Sequence, residues 1–541
     1  MKIIRLLFIC LFFIRVTYGQ TWQDTLSLID KTLSQYHADN PGCQVAISRN
    51  GQLIFSRAWG MADLERNVPL STNSILEAGS VSKQFTAAAI LLLEQQGKLS
   101  LNDDVRKYIP ELPDYGTPIR LHQMLHHTSG IREWSSIAQL TGWPRTSKFY
   151  SNEDVFEMII RQKHLNNKPG EIFIYSNSNY ILFAIIVKRV SGLTLAEFTR
   201  KYIFEPAGMI HTQWRDDPNR IVPNRAIAYA KTGSGFETDM PNEYVYGAGG
   251  LLTTTEDLLR WNDFYQQGKL GTSSLLDRQL QTEPLNNGGM NSYAAGLVIN
   301  KVRGWDNISH NGATASYRAY LETFPKLNLS IAILSNTSQF RINNTAGIVR
   351  NIFVPDKTVK QKIPENSISQ PEAALNNFAG MFKNERDGST FQLSVKNGKI
   401  FLDGDLPLLT VAPGIFKSDN FQLNVNGTSG WYIPYSPRDT VPFIKVIPAK
   451  LPLANLADYE GKYFSEEINT TITVQPNKDT LIIHLKPAED YPLLPTYTDA
   501  FRINALDCDL EFTRSPKNKI LEIRMNLSGA ANIAFKKINS N

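Results

Sequence analysis

The chain has 541 residues, of which 42% are hydrophobic, 20% charged and 10% aromatic. That mix excludes a disordered or low-complexity protein and is enough chain for roughly two to four domains. The formal charge is +5, and removing the first nineteen residues with Lys2, Arg5 and Arg15 lowers it to +2, so neither nucleic acid nor an anionic membrane is expected as a partner. Three cysteines are too few for a disulfide framework.

In chain order, Lys2 and Arg5 precede an apolar run from Leu6 to Ile14, and Thr17 and Gly19 stand at −3 and −1 of a cleavage site before Gln20. This is the pattern of a secretory signal over 1–19, and it predicts export to the periplasm or the extracellular space. The run is too short to span ~30 Å of hydrocarbon, and no integral membrane segment is expected once it is removed. Residues 22–354 read as one mixed α/β (α+β) domain. An amphipathic helix (Leu26, Ile29, Leu33) is followed by strands at Cys43–Ser48 and Leu53–Trp59, joined by Asn50-Gly51, a type I′ hairpin signal. The run Gln84–Gln95 predicts a buried helix. Another helix is expected from Ser151, with Asp154 placed for a capping box, and a third from Thr253 with Glu256. Strands follow at Ala294–Val302, Tyr317–Phe324 and Ser330–Leu334. Strands at both ends with helices between predict one antiparallel sheet, closed by the two termini of the domain, beside a helical region.

Residues 355–374, with Pro355, Pro364 and Pro371, read as a linker. Beyond it lies a repeat. Leu375, Phe378, Gly380 and Phe382 recur 81 residues on as Leu456, Tyr459, Gly461 and Tyr463. Pro407-Leu408-Leu409 and Phe416 recur 85 residues on as Pro492-Leu493-Leu494 and Phe501. One all-β unit used twice, at 375–450 and 455–541 with Pro448 and Pro452 at the join, predicts two small barrel-like domains. Cys43 and Cys508 then fall in different domains and are expected as buried free thiols.

The chemistry starts at Ser80-Val81-Ser82-Lys83. Positions i and i+3 share a helix face, and no other serine in the chain has lysine three places on. A hydroxyl is a weak nucleophile until a base takes its proton. A lysine serves if burial or a nearby cation lowers its pKa. Tyr-x-Asn occurs twice. In Tyr150-Ser151-Asn152 the serine is better explained as a helix cap, which leaves Tyr175-Ser176-Asn177. There the tyrosine can act as a phenolate base beside Lys83, and the asparagine amide can orient a substrate. Lys231-Thr232-Gly233 sits in a polar stretch and reads as a loop. His310-Asn311-Gly312 instead enters a strand pair, where the N–H of Ala313 can stand beside that of Ser80 as an oxyanion hole and His310 can offer a polar or cationic side chain to substrate. His122, His126 and His127 have no acid or cysteine at metal-ligand spacing, so neither a metal nor another cofactor is expected. Gly247–Gly250 reads as a tight turn.

Glu77–Phe85, His127-Thr128-Ser129-Gly130, Pro169-Gly170-Glu171 with Tyr175-Ser176-Asn177, Pro206-Ala207-Gly208-Met209, Gly249-Gly250-Leu251 and His310-Asn311-Gly312 stand in an order that resembles the penicillin-recognising serine hydrolases over roughly residues 25–350. The resemblance implies a serine β-lactamase/D,D-peptidase fold, on the branch of class C β-lactamases, D,D-carboxypeptidases, D-aminopeptidases and carboxylesterases. It implies Ser80 as the acylated nucleophile, Lys83 and Tyr175 as the proton-transfer pair, Asn177 on the substrate, and Ser80 and Ala313 as the oxyanion hole. Class C β-lactamases have Lys-Thr-Gly where this chain has His310-Asn311-Gly312, and the H-x-G form looks more like D-aminopeptidases and some esterases. The expected substrates are therefore D-amino-acid peptides or amides, then esters, then β-lactams. A non-catalytic binder of peptidoglycan or β-lactams is the alternative of another class. The short linker and the two bulky modules predict that the barrels cap one side of the cleft.

Overall fold

A computed structural model describes residues 22–538, save 38, 146–147, 273, 359–367, 419–420, 434–439, 451–452, 454 and 486–488. The expected leader, the side chain of Leu26, Pro364 and Pro452 lie outside the described residues.

Helix α1 (Trp22–Leu33) leads into β1 (Cys43–Arg49) and β2 (Gln52–Trp59). Their turn holds Asn50 at φ 53° and Gly51 at φ 74°, as a type I′ hairpin requires. The late strands are β3 (Val298–Val302), β4 (Trp305–Thr314), β5 (Tyr317–Phe324) and β6 (Leu329–Ser335). All six form one antiparallel sheet in the order β3-β4-β5-β6-β1-β2, so the two ends of the domain meet where β1 pairs β6. Period-2 alternation divides the faces. Val45, Ile47, Ile331 and Ile333 pack toward α1 and α7 (Ile342–Phe353), while Ala46, Ala332 and Leu334 join the core of the helical region. The strand expected from Ala294 begins only at Val298, because Ala294 N–H turns back onto Leu297 O at 2.8 Å.

In the helical region, α2 (Lys83–Gln95) is buried from Lys83 to Leu93. Helix α3 spans Trp134–Leu140 and α5 spans Asn177–Ser191. Between them α4 (Asn152–Ile160) is capped by Ser151 and Asp154 in a reciprocal box. The helix expected from Thr253 starts two residues later, as α6 (Thr255–Gln266). Thr254 caps it by accepting from Asp257 N–H. Thr253 is in a short strand, and its hydroxyl pairs with Thr212 at 2.7 Å. Three consecutive threonines leave that register ambiguous in the sequence.

Each C-terminal repeat is a closed eight-stranded barrel. The first runs from the strand Gly380–Asn384 to Val441–Val446, and the second from Gly461–Ser465 to Ala530–Ile538. Equivalent residues do equivalent work: Phe382 and Tyr463, Phe416 and Phe501, and Leu408 and Leu493 point into the barrels, while Leu409 and Leu494 point out. The second barrel's interior is continuous with the core of the helical region, and the first keeps a core of its own. The second docks on the N-terminal α/β domain around Arg132, whose guanidinium pairs with Glu467 at 3.0 Å. The first is tied to the second by Lys383–Glu511 at 2.6 Å. Cys43 and Cys508 are buried free thiols. Among the described residues no helix is long and apolar enough to cross a membrane.

Candidate active site

Ser80 lies in a 3-10 turn, Gly79–Ser82, that runs straight into α2. Ser80 and Lys83 therefore stand one turn apart on one face. The Lys83 ammonium donates to Ser80 Oγ at 3.0 Å, Asn177 Oδ1 at 2.7 Å and Ala248 O at 2.7 Å. It also lies 4.7 Å from the centre of the Tyr175 ring and 5.7 Å from that of Tyr180. Burial pulls its pKa down to about 7, against the carboxylate of Glu133, which raises it, and with help from the Arg145 cation. A substantial fraction of Lys83 is therefore neutral near pH 7, with a lone pair available to the Ser80 proton.

Strand β4 supplies the opposite wall. Gly312 passes so close to the Ser80 turn that a Cβ there would lie 2.1 Å from Ala78 O and 3.0 Å from Ser80 N. A Cβ on Gly79 would in turn meet Ala313 N at 2.7 Å. This close approach brings the backbone N–H groups of Ser80 and Ala313 to the edge of one small cavity of about 50 Å³, which Asn177, Ala248 and Arg145 also line. A space of about 640 Å³ opens beside it between Ser135, Arg145, Asp239, Glu243 and Thr314.

Tyr175 is pinned by His127. Ile174 N–H donates to His127 O at 2.9 Å, Ser176 N–H donates to His127 Nδ1 at 3.1 Å, and the two ring centres lie 4.2 Å apart with their planes tilted by 36°. Burial raises the Tyr175 pKa far above that of an ordinary phenol, although Ser80 is near enough to favour ionisation. The phenolate expected beside Lys83 is thus disfavoured at neutral pH. The hydroxyl is left without a hydrogen-bond partner of good geometry within the protein. Asn177 begins α5, and its amide is engaged at both ends, Oδ1 by Lys83 and Nδ2 by Glu133 Oε1 at 3.1 Å.

His310 differs from expectation. Its imidazole is buried, with Nδ1–H donating to Asn311 O at 2.6 Å and Nε2 accepting from Tyr293 Oη at 2.9 Å. Burial, then the charge on Lys83, lowers its pKa to about 4. It is a neutral wall residue rather than a cation facing substrate, because a side chain that points into the core loses its hydration. The two decoys stay apart from this site. Tyr150 and Ser151 are spent on Trp143 O and on the α4 cap, and Lys231 is the exposed last residue of a short strand.

Several members carried no readable motif. Glu133, which caps α3, holds Asn177. Ala248 O, in the loop read as a tight turn, accepts from Lys83. Arg145 grips Glu243 through two guanidinium nitrogens, Glu243 lies 4.0 Å from Arg215, and Arg215 pairs with the buried Glu77 at 2.9 Å. This alternating chain of charges neutralises the cleft floor. Among the described residues no cluster of histidine, cysteine and acid is placed to hold a metal ion.

A serine beside a buried lysine at i+3, with its own N–H and that of a neighbouring strand residue beside one cavity, defines the class of serine hydrolases built on an S-x-x-K motif. The family described as Beta-lactamase matches residues 29–348, more than half of the chain, and the protein belongs to that family. It is a serine hydrolase of the β-lactamase/D,D-peptidase kind. Penicillin-binding protein 4* of Bacillus subtilis (strain 168) is 26% identical over 402 residues, 70% of this chain and 86% of that protein. The D-aminopeptidase of Gluconobacter oxydans (strain 621H) is 27% identical over 341 residues, 62% of this chain and 63% of that protein. Among solved structures, the octameric penicillin-binding protein homologue from Pyrococcus abyssi has a TM-score of 0.52 at 20% identity, over 86% of this chain and 99% of that one. The D-amino acid amidase from Ochrobactrum anthropi SV3, complexed with D-phenylalanine, has a TM-score of 0.52 at 18% identity, over 61% of this chain and 98% of that one. These two share the fold.

Proposed function

We propose that the protein is an exported hydrolase of D-amino-acid peptides or amides that works through an acyl-enzyme on Ser80. The observation that carries the mechanism is Lys83, buried and 3.0 Å from Ser80 Oγ with its pKa near 7. Neutral Lys83 takes the Ser80 proton as Oγ attacks the scissile carbonyl. The oxyanion is met by the N–H groups of Ser80 and Ala313, each typically worth a few kcal/mol in the transition state. Lys83, now an ammonium, is the proton source for the leaving amine. Tyr175, kept protonated by burial, relays that proton from its position against Lys83. Water then attacks the ester on Ser80 with the same groups in reverse. Asn177 orients Lys83 on one side and faces the cavity on the other.

Support for the D-amino-acid substrate comes from the D-aminopeptidase relative and from the neutral His310 at the place where a β-lactamase carries lysine. Arg145, the cation that lines the same cavity, is already paired with Glu243. A β-lactam carboxylate therefore finds no free partner there, and esters rank above β-lactams as the second substrate class. Export rests on the basic, apolar and small-residue order of the first nineteen residues. A panel of D-alanine amides, p-nitrophenyl esters and nitrocefin, run with wild type and Ser80→Ala and followed by intact mass, tests the reading. Turnover of D-amides that Ser80→Ala abolishes is expected. A wild-type chain that neither turns over any of them nor gains an acyl mass would sink it. An acyl mass that accumulates without turnover would favour the peptidoglycan or β-lactam binder.

A further inference from the structure

Glu133 reaches in two directions. Its carboxylate accepts from the N–H of Asn177 at 2.5 Å and from Asn177 Nδ2 at 3.1 Å, and Asn177 Oδ1 in turn accepts from Lys83. Its own backbone N–H donates to Gly529 O at 2.7 Å. Gly529 belongs to the second barrel, in the two-residue turn between the strands Ile520–Leu527 and Ala530–Ile538. Three more hydrogen bonds hold this turn to the catalytic domain. Asn166 Nδ2 donates to Gly529 O at 2.7 Å, Ala531 N–H donates to Asn166 Oδ1 at 2.8 Å, and Ser136 Oγ donates to Ser528 O at 2.6 Å. Gly529 sits at φ +73°, and a Cβ on it would lie 2.8 Å from Glu133 Cβ and 3.4 Å from Tyr175 O. The turn thus stands directly behind two residues of the site, although no barrel residue lines the cavities beside Ser80. A barrel that merely packed nearby would leave a hairpin end in solvent.

We propose that the Ser528–Gly529 turn of the second barrel is a positioning element of the catalytic centre: it sets Glu133, which through Asn177 holds Lys83 against Ser80. The inference rests on the reading of Ser80 as nucleophile. Glu133 acts through Asn177 and is a positioning residue. Supporting groups of this kind fix reacting atoms to within a fraction of an ångström, and misplacement by about 1 Å costs on the order of a hundredfold in rate. The charged groups that act on Lys83 are Glu133 and Arg145, while Tyr175, Tyr180, His127 and His310 around it are held neutral by burial.

The test measures the rate of Ser80 labelling by a fluorophosphonate across neutral pH, on the full chain, with kcat and KM on a D-alanine amide. Gly529→Ala is compared with Gly427→Ala, which carries the same backbone penalty at φ +61° in the first barrel with nothing within 4 Å of its Cβ. Gly529→Ala is expected to fold but melt below the control, since its Cβ meets Glu133 Cβ at 2.8 Å, to label on the order of a hundredfold more slowly and to lower kcat with little change in KM. Glu133→Gln keeps the backbone bond to Gly529 and is expected to slow labelling as well. Both variants should move the acid limb to lower pH, since the Glu133 charge that favours the Lys83 ammonium is withdrawn or lost. A folded Gly529→Ala with wild-type labelling and pH profile overturns the proposal. If Gly529→Ala does not fold, Asn166→Ala decides, because it removes two of the four bonds and leaves the turn intact: slowed labelling with a shifted limb supports the proposal, and wild-type labelling overturns it. A wild-type chain that takes no label at Ser80 overturns the reading of the nucleophile, and the turn's role with it.

Discussion

At the scale of single residues, the chemistry turns on which groups stay charged when water is removed. Lys83 loses hydration and keeps its hydrogen bonds, so its pKa falls to about 7. In the proposed mechanism the neutral form is the base, so kcat/KM should rise with pH through about 7 and level off above it. His310, at about 4, adds no limb in that range. A profile flat from mildly acidic to alkaline pH would contradict Lys83 as the base. Tyr175 is pushed the other way by the same burial and stays a phenol. Tyr175→Phe should therefore slow hydrolysis of amides, whose leaving group needs a proton, by about 10²–10⁴-fold. A p-nitrophenyl ester, whose leaving group needs none, should be affected far less. Equal losses on both substrates, measured as kcat/KM, would remove the relay role from Tyr175.

At the scale of elements, the site depends on how closely β4 approaches the start of α2. Glycine at 312 is required by contact, since any Cβ meets Ala78 O at 2.1 Å. Gly312→Ala should force β4 and the Ser80 turn apart, costing about 1–3 kcal/mol of stability and disturbing the pair of N–H donors. Thermal melting together with Ser80 labelling checks this, and a variant that melts and labels like wild type would refute it. Much of the element order is legible beforehand. Asn50-Gly51, the Ser151–Asp154 box and the apolar run of α2 are local signals, and local backbone preference decides them. The start of α6 is less legible, because Thr253, Thr254 and Thr255 are equally good caps in isolation. Only the pairing of Thr253 with Thr212 selects Thr254.

At the scale of the whole molecule, the second barrel is part of the catalytic domain's core. Arg132 is fully buried, and Glu467 of the barrel holds it while also accepting from Lys163 N–H at 2.8 Å. Glu467→Ala leaves that guanidinium buried without its counter-charge and should cost about 3–5 kcal/mol, read as the midpoint of denaturant unfolding. A change of only a few tenths would mean that water reaches Arg132. The expected cap on the cleft takes another form, because the barrel supports the site from behind, through Glu133 and Gly529, and leaves the lining of the cavities to the catalytic domain.

The sequence by itself determined the S-x-x-K pair, the choice of Tyr175 and Asn177 over the copy at Tyr150, the sheet closed by both ends of the domain, and the barrel used twice. These follow from spacing, periodicity and turn chemistry, which act over a few residues or repeat visibly along the chain. Only the tertiary structure decided the charge states of Lys83, Tyr175 and His310, since burial is a property of the packed whole. It also decided the parts played by Glu133, Ala248, Arg145 and Gly529. These residues carry no spacing relative to Ser80, and they come together around it only because the folded chain brings segments up to 400 residues apart into hydrogen-bonding contact.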